Sequence, residues 1–138
     1  MTTAPALPEQ VAVAPSRGSS ILFLLRLEGL IVAVATAVLF AHTGASWWLF
    51  TLWLAPDLSM LGYLAGPCQG ARVYNAFHTY VGPGVLALCS LMPGAHTVLP
   101  LALIWANHIG VDRLLGYGLK YGNGFGFTHL GRLGKQRA

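Results

Sequence analysis

Apolar residues along the chain gather into four long stretches, separated by short segments rich in glycine, proline and polar residues. Each stretch is close to the ~20 residues that an α-helix needs to cross the hydrocarbon layer of a bilayer. The pattern therefore predicts four transmembrane helices, over about 21–41, 46–64, 73–92 and 98–115.

Three short connections join these helices, at 42–45, 65–72 and 93–97. Because short links make consecutive helices antiparallel neighbours, we predict an all-α, up-down bundle of four transmembrane helices in a domain spanning 21–134. The low-complexity segment 1–20 is expected to be a disordered tail. From Gly116 the chain is glycine-rich and too polar for a fifth crossing, and it finishes in a basic end over 135–138.

Composition favours a membrane protein over a soluble one. Hydrophobic residues make up 55% of the 138 residues and charged residues only 9%, whereas soluble domains have roughly 25% charged residues. A small soluble domain needs more polar side chains than this to cover its surface. The eight Lys and Arg residues form no dense patch, so nucleic acid is not an expected partner.

The positions of the basic residues predict the orientation in the membrane. They fall before or near the start of the first helix, in the second connection, and at or beyond the end of the fourth helix: Arg17, Arg26, Arg72, Arg113, Lys120, Arg132, Lys135 and Arg137. With four crossings these segments share one side, which the positive-inside rule assigns to the cytoplasm together with both termini. The last bases are expected to contact anionic lipid headgroups, and a contact of Lys120 or Arg132 with a substrate phosphate is the alternative.

Several ionisable and amide side chains occur within the apolar stretches, where they are costly and usually functional. They are Glu28, Asp57, Asn75, His78, Asn107, His108 and Asp112. At 1.5 Å per residue, antiparallel threading brings the ionisable ones to one level, roughly 10 Å from the cytoplasmic helix ends. His108 and Asp112 are four residues apart and share one helix face. We therefore expect a single polar cluster.

Two histidines and two aspartates at one level have the ligand chemistry of a divalent metal site, with zinc or manganese as candidates. The predicted metal ligands are Asp57, His78, His108 and Asp112. Glu28 is predicted as the general base, and His129 as a further ligand or general acid. The expected activity is hydrolysis of a lipid or amphipathic substrate at the cytoplasmic leaflet.

Two alternatives come from the same residues. In the first, the acids pair with Arg26 and Arg113 while the histidines bond asparagines and tyrosines, giving a non-enzymatic protein whose polar network fixes helix register. In the second, His78 and His108 bind haem between them. Metal content and an absorption spectrum separate these possibilities.

The chain resembles a family of small bacterial membrane proteins known as domain of unknown function 4260. The matching stretches are LLRLEG (24–29), SWWLF (46–50), APDLSMLGYLAGP (55–67), YNAFHTYVGP (74–83), HIGVDRLLGYGLKY (108–121) and FTHLGRLG (127–134). The resemblance implies a four-helix domain in a bacterial inner (plasma) membrane and supplies no activity.

Three motifs are also similar to those of membrane-bound metal-dependent hydrolases, which carry a Pro-Asp pair, a histidine near a helix start and an HxxxD motif near a helix end. The counterparts are Pro56, Asp57, His78, His108 and Asp112. Leu58 and Ser59 stand where those hydrolases have a second acid after the pair. This similarity implies metal-dependent hydrolysis.

Overall fold

The computed structural model describes residues 19–132. Its elements are α1 (Ser19–His42), a 3₁₀ helix (Trp47–Ala65), α2 (Pro67–Phe77), α3 (Val81–Cys89), a 3₁₀ turn (His96–Val98), α4 (Leu99–Leu115) and the antiparallel strands β1 (Phe127–Thr128) and β2 (Gly131–Arg132). The predominantly helical architecture is confirmed. The predicted tail over 1–20, except for its last two residues, and the basic end over 135–138 lie outside the described residues.

Helix α4 is the centre of the fold. It packs against α1, the long 3₁₀ helix and α3, while α2 packs against the 3₁₀ helix. Phe40 of α1 and Leu103 and Ile104 of α4 are buried together as a hydrophobic core. Residues of α4 are therefore placed to meet side chains from the other helices.

Helices α1 and α4 are in backbone contact at a pair of glycines. A Cβ atom at Gly110 would lie 2.9 Å from both the backbone nitrogen of Ala33 and the carbonyl oxygen of Gly29. Only glycine allows this approach, which fixes the axial position of α4 relative to α1. His108 and Asp112 lie two residues to either side of Gly110, so the same contact fixes their height in the fold.

The third apolar stretch is two helices, where the sequence predicted one over 73–92. Helix α2 ends at Phe77 and α3 begins at Val81. Pro83 explains the break, because a residue without an N–H group is tolerated in the first turn of a helix and disfavours its continuation from upstream. His78 lies at the break.

The second connection is also shorter than the sequence predicted. Gly66 alone separates the 3₁₀ helix from α2, because Pro67 starts α2 at its first position. The segment predicted as a connection over 65–72 is therefore mostly helical, and Arg72 lies within α2.

The second apolar stretch, predicted as an α-helix over 46–64, is a 3₁₀ helix of 19 residues. At 2.0 Å per residue it is about 38 Å long, and 3₁₀ runs beyond 3–4 residues are uncommon. Pro56 removes one backbone donor in its middle, directly before Asp57.

By length and composition, two helical segments of the described chain are able to cross a membrane. They are Ser20–His42, with a mean hydropathy of 2.2, and His96–Leu115, with a mean hydropathy of 1.2. These are the first and fourth spans of the sequence prediction. The second and third spans stay predictions, since they fall in the 3₁₀ helix and in the broken pair α2 and α3.

Candidate metal centre

Four side chains from three helices converge on one point. Asp57 comes from the 3₁₀ helix, His78 from the end of α2, and His108 and Asp112 from one face of α4. One nitrogen or oxygen atom from each lies within 4.8 Å of the corresponding atoms of the other three. These are the four residues that the sequence predicted as metal ligands.

The distances between the donor atoms are those of a small coordination site. His78 Nε2 lies 3.3 Å from Asp57 Oδ1 and 3.6 Å from Asp112 Oδ2. His108 Nε2 lies 3.5 Å and 3.8 Å from the same two oxygens, and the two Nε2 atoms are 3.2 Å apart. In a tetrahedral zinc site with bonds of about 2.1 Å, the donor atoms are about 3.4 Å apart. The donor set therefore fits a four-coordinate divalent ion.

The tautomer of His78 also favours a cation at this site. Its Nδ1 atom lies 2.9 Å from the carbonyl oxygen of Tyr74, which only accepts hydrogen bonds. Nδ1 therefore carries a proton, and in the neutral form of the ring Nε2 presents its lone pair to the oxygens of Asp57 and Asp112. Lone pairs of three acceptors repel one another unless a cation or proton lies between them. A backbone carbonyl on the far nitrogen is also the usual outer partner of a metal-binding histidine.

Tyr74 supports two of the four residues at once. Its ring stacks on His78 with centroids 3.6 Å apart and planes 9° from parallel. Its hydroxyl donates to Asp112 Oδ2 at 3.2 Å. One buried side chain therefore orients both a histidine of α2 and a carboxylate of α4.

His108 is held through its neighbour Asn107. The Asn107 amide donates to the carbonyl of Ala33 at 2.7 Å, and its oxygen accepts the indole N–H of Trp53 at 2.9 Å. The Trp53 ring then meets His108 edge to face, with centroids 4.7 Å apart. Asn107 thus connects α1, the 3₁₀ helix and α4 directly beside the centre. Trp53 was not expected at the site, because no sequence motif marks it.

The histidines are buried, and the acids border a cavity. His78 and His108 are 3% and 1% exposed, whereas the side chains of Asp112 and Asp57 are 16% and 38% exposed. A cavity of about 300 Å³ adjoins the cluster, lined by Asp57, Met60, Tyr74, Asp112, Tyr117 and Phe125. A small molecule in this cavity would reach the carboxylate side of the centre.

The structure does not bring Glu28, the predicted general base, into the cluster. Its side chain is exposed on α1, and it is not one of the four converging residues. Gly29 and Ala33 define the face of α1 that touches α4. Successive helical residues are rotated by about 100°, so the residue before Gly29 points elsewhere.

His129, predicted as a further ligand or general acid, also lies outside the cluster. Its Nδ1 accepts the backbone N–H of Leu119 at 2.8 Å, and its Nε2 lies 3.2 Å from Arg113 Nη1. Partial burial and the charge of Arg113 lower the pKa of His129. Nδ1 is therefore occupied in holding the segment after α4, and because the proton of the neutral ring is then on Nε2, the contact with Arg113 is not a hydrogen bond.

The acids do not form the arginine pairs of the alternative network. Within residues 19–132, the ion-pair contacts of Asp57 and Asp112 are with the two histidines. Arg113 instead lies over the ring of Tyr80, 5.2 Å from its centroid, and contacts His129.

Comparison with known proteins places the chain in a family. Residues 23–133 match the family model described as Domain of unknown function (DUF4260). The chain belongs to this family. No curated protein and no solved structure matches it. The match to DUF4260 confirms the resemblance found in the sequence. The similarity to metal-dependent hydrolases finds no support in these comparisons. Any function proposed for this DUF4260 chain therefore rests on the geometry of the four-residue cluster.

Proposed function

We propose that this chain is a membrane-embedded, metal-dependent hydrolase that acts on a lipid or amphipathic substrate at the cytoplasmic leaflet. The observation that carries the proposal is the convergence of one donor atom each from Asp57, His78, His108 and Asp112 within 4.8 Å of one another beside a cavity. Two imidazoles with two carboxylates favour zinc, with manganese as the second candidate.

Asp57, His78, His108 and Asp112 would hold a divalent ion, which would supply Lewis-acid chemistry and a more nucleophilic water at neutral pH. The chain's own contribution is to orient the donors and to move protons at the cavity. Asp57 is the more exposed of the two acids and lines the cavity. The Asp57 oxygen that would not bind the ion therefore takes the place of Glu28 as the group best positioned to accept a proton there.

An apolar groove beside the cluster supports a substrate with an acyl chain. It has a volume of about 240 Å³, and its lining includes Pro56 and Phe77, the residues directly before Asp57 and His78. Its remaining walls are Leu52, Ala55, Leu86, Leu101, Ile104 and Trp105. A polar group at the cluster and a hydrocarbon tail in this groove together describe an amphipathic molecule.

A second candidate is a cofactor-free polar network in a non-enzymatic membrane protein. The 3.2 Å between the Nε2 atoms of His78 and His108 also fits one hydrogen bond in which His108 donates. The haem alternative fits poorly, because carboxylate oxygens of Asp57 and Asp112 lie 3.3–3.8 Å from the same two nitrogens, where the plane of a porphyrin ring would have to pass.

Metal content of the purified chain tests the proposal. The parent protein is expected to hold one equivalent of zinc or manganese per folded monomer, measured by elemental analysis after removal of loosely bound ions. His108→Ala removes one of four ligands. Because changes to outer partners alone weaken metal binding by about 10–100-fold, the loss here should exceed that range.

His96→Ala is the matched control. His96 is exposed in the 3₁₀ turn at the opposite end of the same helix, about 18 Å from His108 along the axis. This variant should keep the full equivalent. If both variants keep it, or if the parent never binds metal, the hydrolase proposal is wrong and the cofactor-free network is the better account.

A further inference from the structure

Lys120 is held beside the metal centre by an amide clamp. Its backbone N–H donates to Asn75 Oδ1 at 2.6 Å, and its carbonyl accepts from Asn75 Nδ2 at 2.8 Å. Asn75 follows Tyr74, the residue that supports His78 and Asp112. The segment after α4 is thereby fixed to α2, and the position of Lys120 relative to the centre is determined.

The Lys120 side chain is buried without a hydrogen-bond partner. It is 4% exposed, and within the described chain its Nζ atom has no acceptor. The ammonium instead lies 3.9 Å from the ring centroid of Phe125, 5.0 Å from that of Tyr74 and 5.7 Å from that of Tyr117. Ring faces attract a cation, but they leave its three N–H donors without oxygen partners, which is unfavourable for a buried charge.

The same three aromatic rings line the cavity at the carboxylate side of the centre. Lys120 was expected at the surface against lipid headgroups, and its burial contradicts that expectation. Burial lowers the pKa of Lys120, while Asp112 acts in the opposite direction. The Lys120 ammonium therefore lies behind the aromatic rings that form one wall of the cavity, and the carboxylates of Asp57 and Asp112 form another wall.

The charges of these groups favour an anionic ligand. Asp57 and Asp112 carry two negative charges and Lys120 one positive charge, which sum to one negative charge with neutral histidines. A divalent ion in the cluster changes the sum to one positive charge. A group with one negative charge would then neutralise the site that holds the divalent ion. A tetrahedral oxyanion such as phosphate has enough oxygen atoms to contact both the metal centre and the Lys120 ammonium.

We propose that Lys120 binds a phosphate group of the substrate, so that the hydrolase acts on a phosphoester. The inference rests on the proposed function and adds the substrate class to it. Phe125 is 39% exposed and is the ring nearest to the ammonium. Its ring must move aside for a phosphate oxygen to reach Nζ.

Phosphate affinity of the zinc-loaded, full-length protein in detergent tests this inference. Inorganic phosphate is titrated in one series and mixed micelles containing phosphatidic acid in another, with thermal stabilisation as the signal. Lys120→Met keeps the length of the side chain and should weaken binding by about 10–100-fold, the range for a hydrogen bond to a charged group. Arg72→Met removes one positive charge at an exposed position of α2 and should leave affinity unchanged.

Phe125→Ala provides a second variant that keeps Lys120. Removing the covering ring should tighten phosphate binding. Unchanged or weaker binding would count against the inference. This test does not depend on whether Lys120→Met folds. Response to inorganic phosphate would show that the free group suffices, and response to phosphatidic acid alone would identify a lipid as its source. Either supports the inference.

Zinc is quantified in every sample, so that failure of the proposed function is distinguished from failure of this inference. A chain that binds no metal overturns the proposed function, and this inference with it. A zinc-loaded chain whose phosphate affinity is the same with and without Lys120 overturns this inference alone.

Discussion

Asp112→Asn is expected to lower the free energy of unfolding when a divalent ion is bound and not to lower it when no ion is bound. The variant keeps the side-chain shape and an oxygen for the Tyr74 hydroxyl, which lies 3.2 Å from Asp112 Oδ2. In the metal-free protein it removes a negative charge that faces the His78 Nε2 lone pair at 3.6 Å. Stability without metal should therefore be unchanged or increased.

In the metal-loaded protein the same change removes one of four ligands. A ligand present at 100 times its dissociation constant stabilises the folded state by about 2.7 kcal/mol. If the variant binds zinc 100-fold more weakly, nearly all of this stabilisation is lost. For a chain of this length, that loss lowers Tm by roughly 5–10 °C.

The assay is thermal unfolding in detergent, followed by tryptophan fluorescence with zinc and again with a chelator. Glu28→Gln is the control, because it makes the same change of charge at an exposed position outside the cluster. It should shift neither curve. If Asp112→Asn lowers Tm equally with zinc and with chelator, the carboxylate is paired with a protonated histidine, and the metal argument fails.

Three further predictions concern helix packing, pH and topology. Gly110→Val should destabilise by about 1–3 kcal/mol because its side chain meets backbone, whereas Gly84→Ala, which enters open space, should be neutral or stabilising in urea titrations. The pKa of His129 is lowered in the folded state, so the unfolded chain binds the proton more readily and the free energy of unfolding should fall as pH drops below about 6.5. His129→Asn should reduce that fall. If the pH dependence of stability is the same in the variant, His129 does not cause it. Reporters active only outside the cytoplasm should give signal when fused at Gly44 or Gly94 and none at the C-terminus, and the reverse result would invert the orientation.

The sequence by itself determined the features that depend on local order along the chain. The long apolar stretch of α1 and the apolar run of α4 are sufficient for helices that can cross a membrane, whatever packs against them. The spacing of His108 and Asp112 places both on one helix face in any environment. Depth along antiparallel helices also predicted Asp57 and His78 at the same level, although Asp57 belongs to a 3₁₀ helix, whose rise of about 2.0 Å per residue differs from the 1.5 Å used in that estimate.

Only the tertiary structure decided which side chains point to the centre. Glu28 has the correct depth but the wrong rotation, because the contact of Gly29 with α4 turns it outward. Helix α2 ends at Phe77 and α3 begins at Val81, so His78 lies at a break that Pro83 favours but whose position hydrophobic periodicity does not give. Lys120 is buried because Asn75, 45 residues earlier, clamps its backbone. Helix rotation and long-range hydrogen bonds depend on non-local contacts, which hydrophobic periodicity does not record.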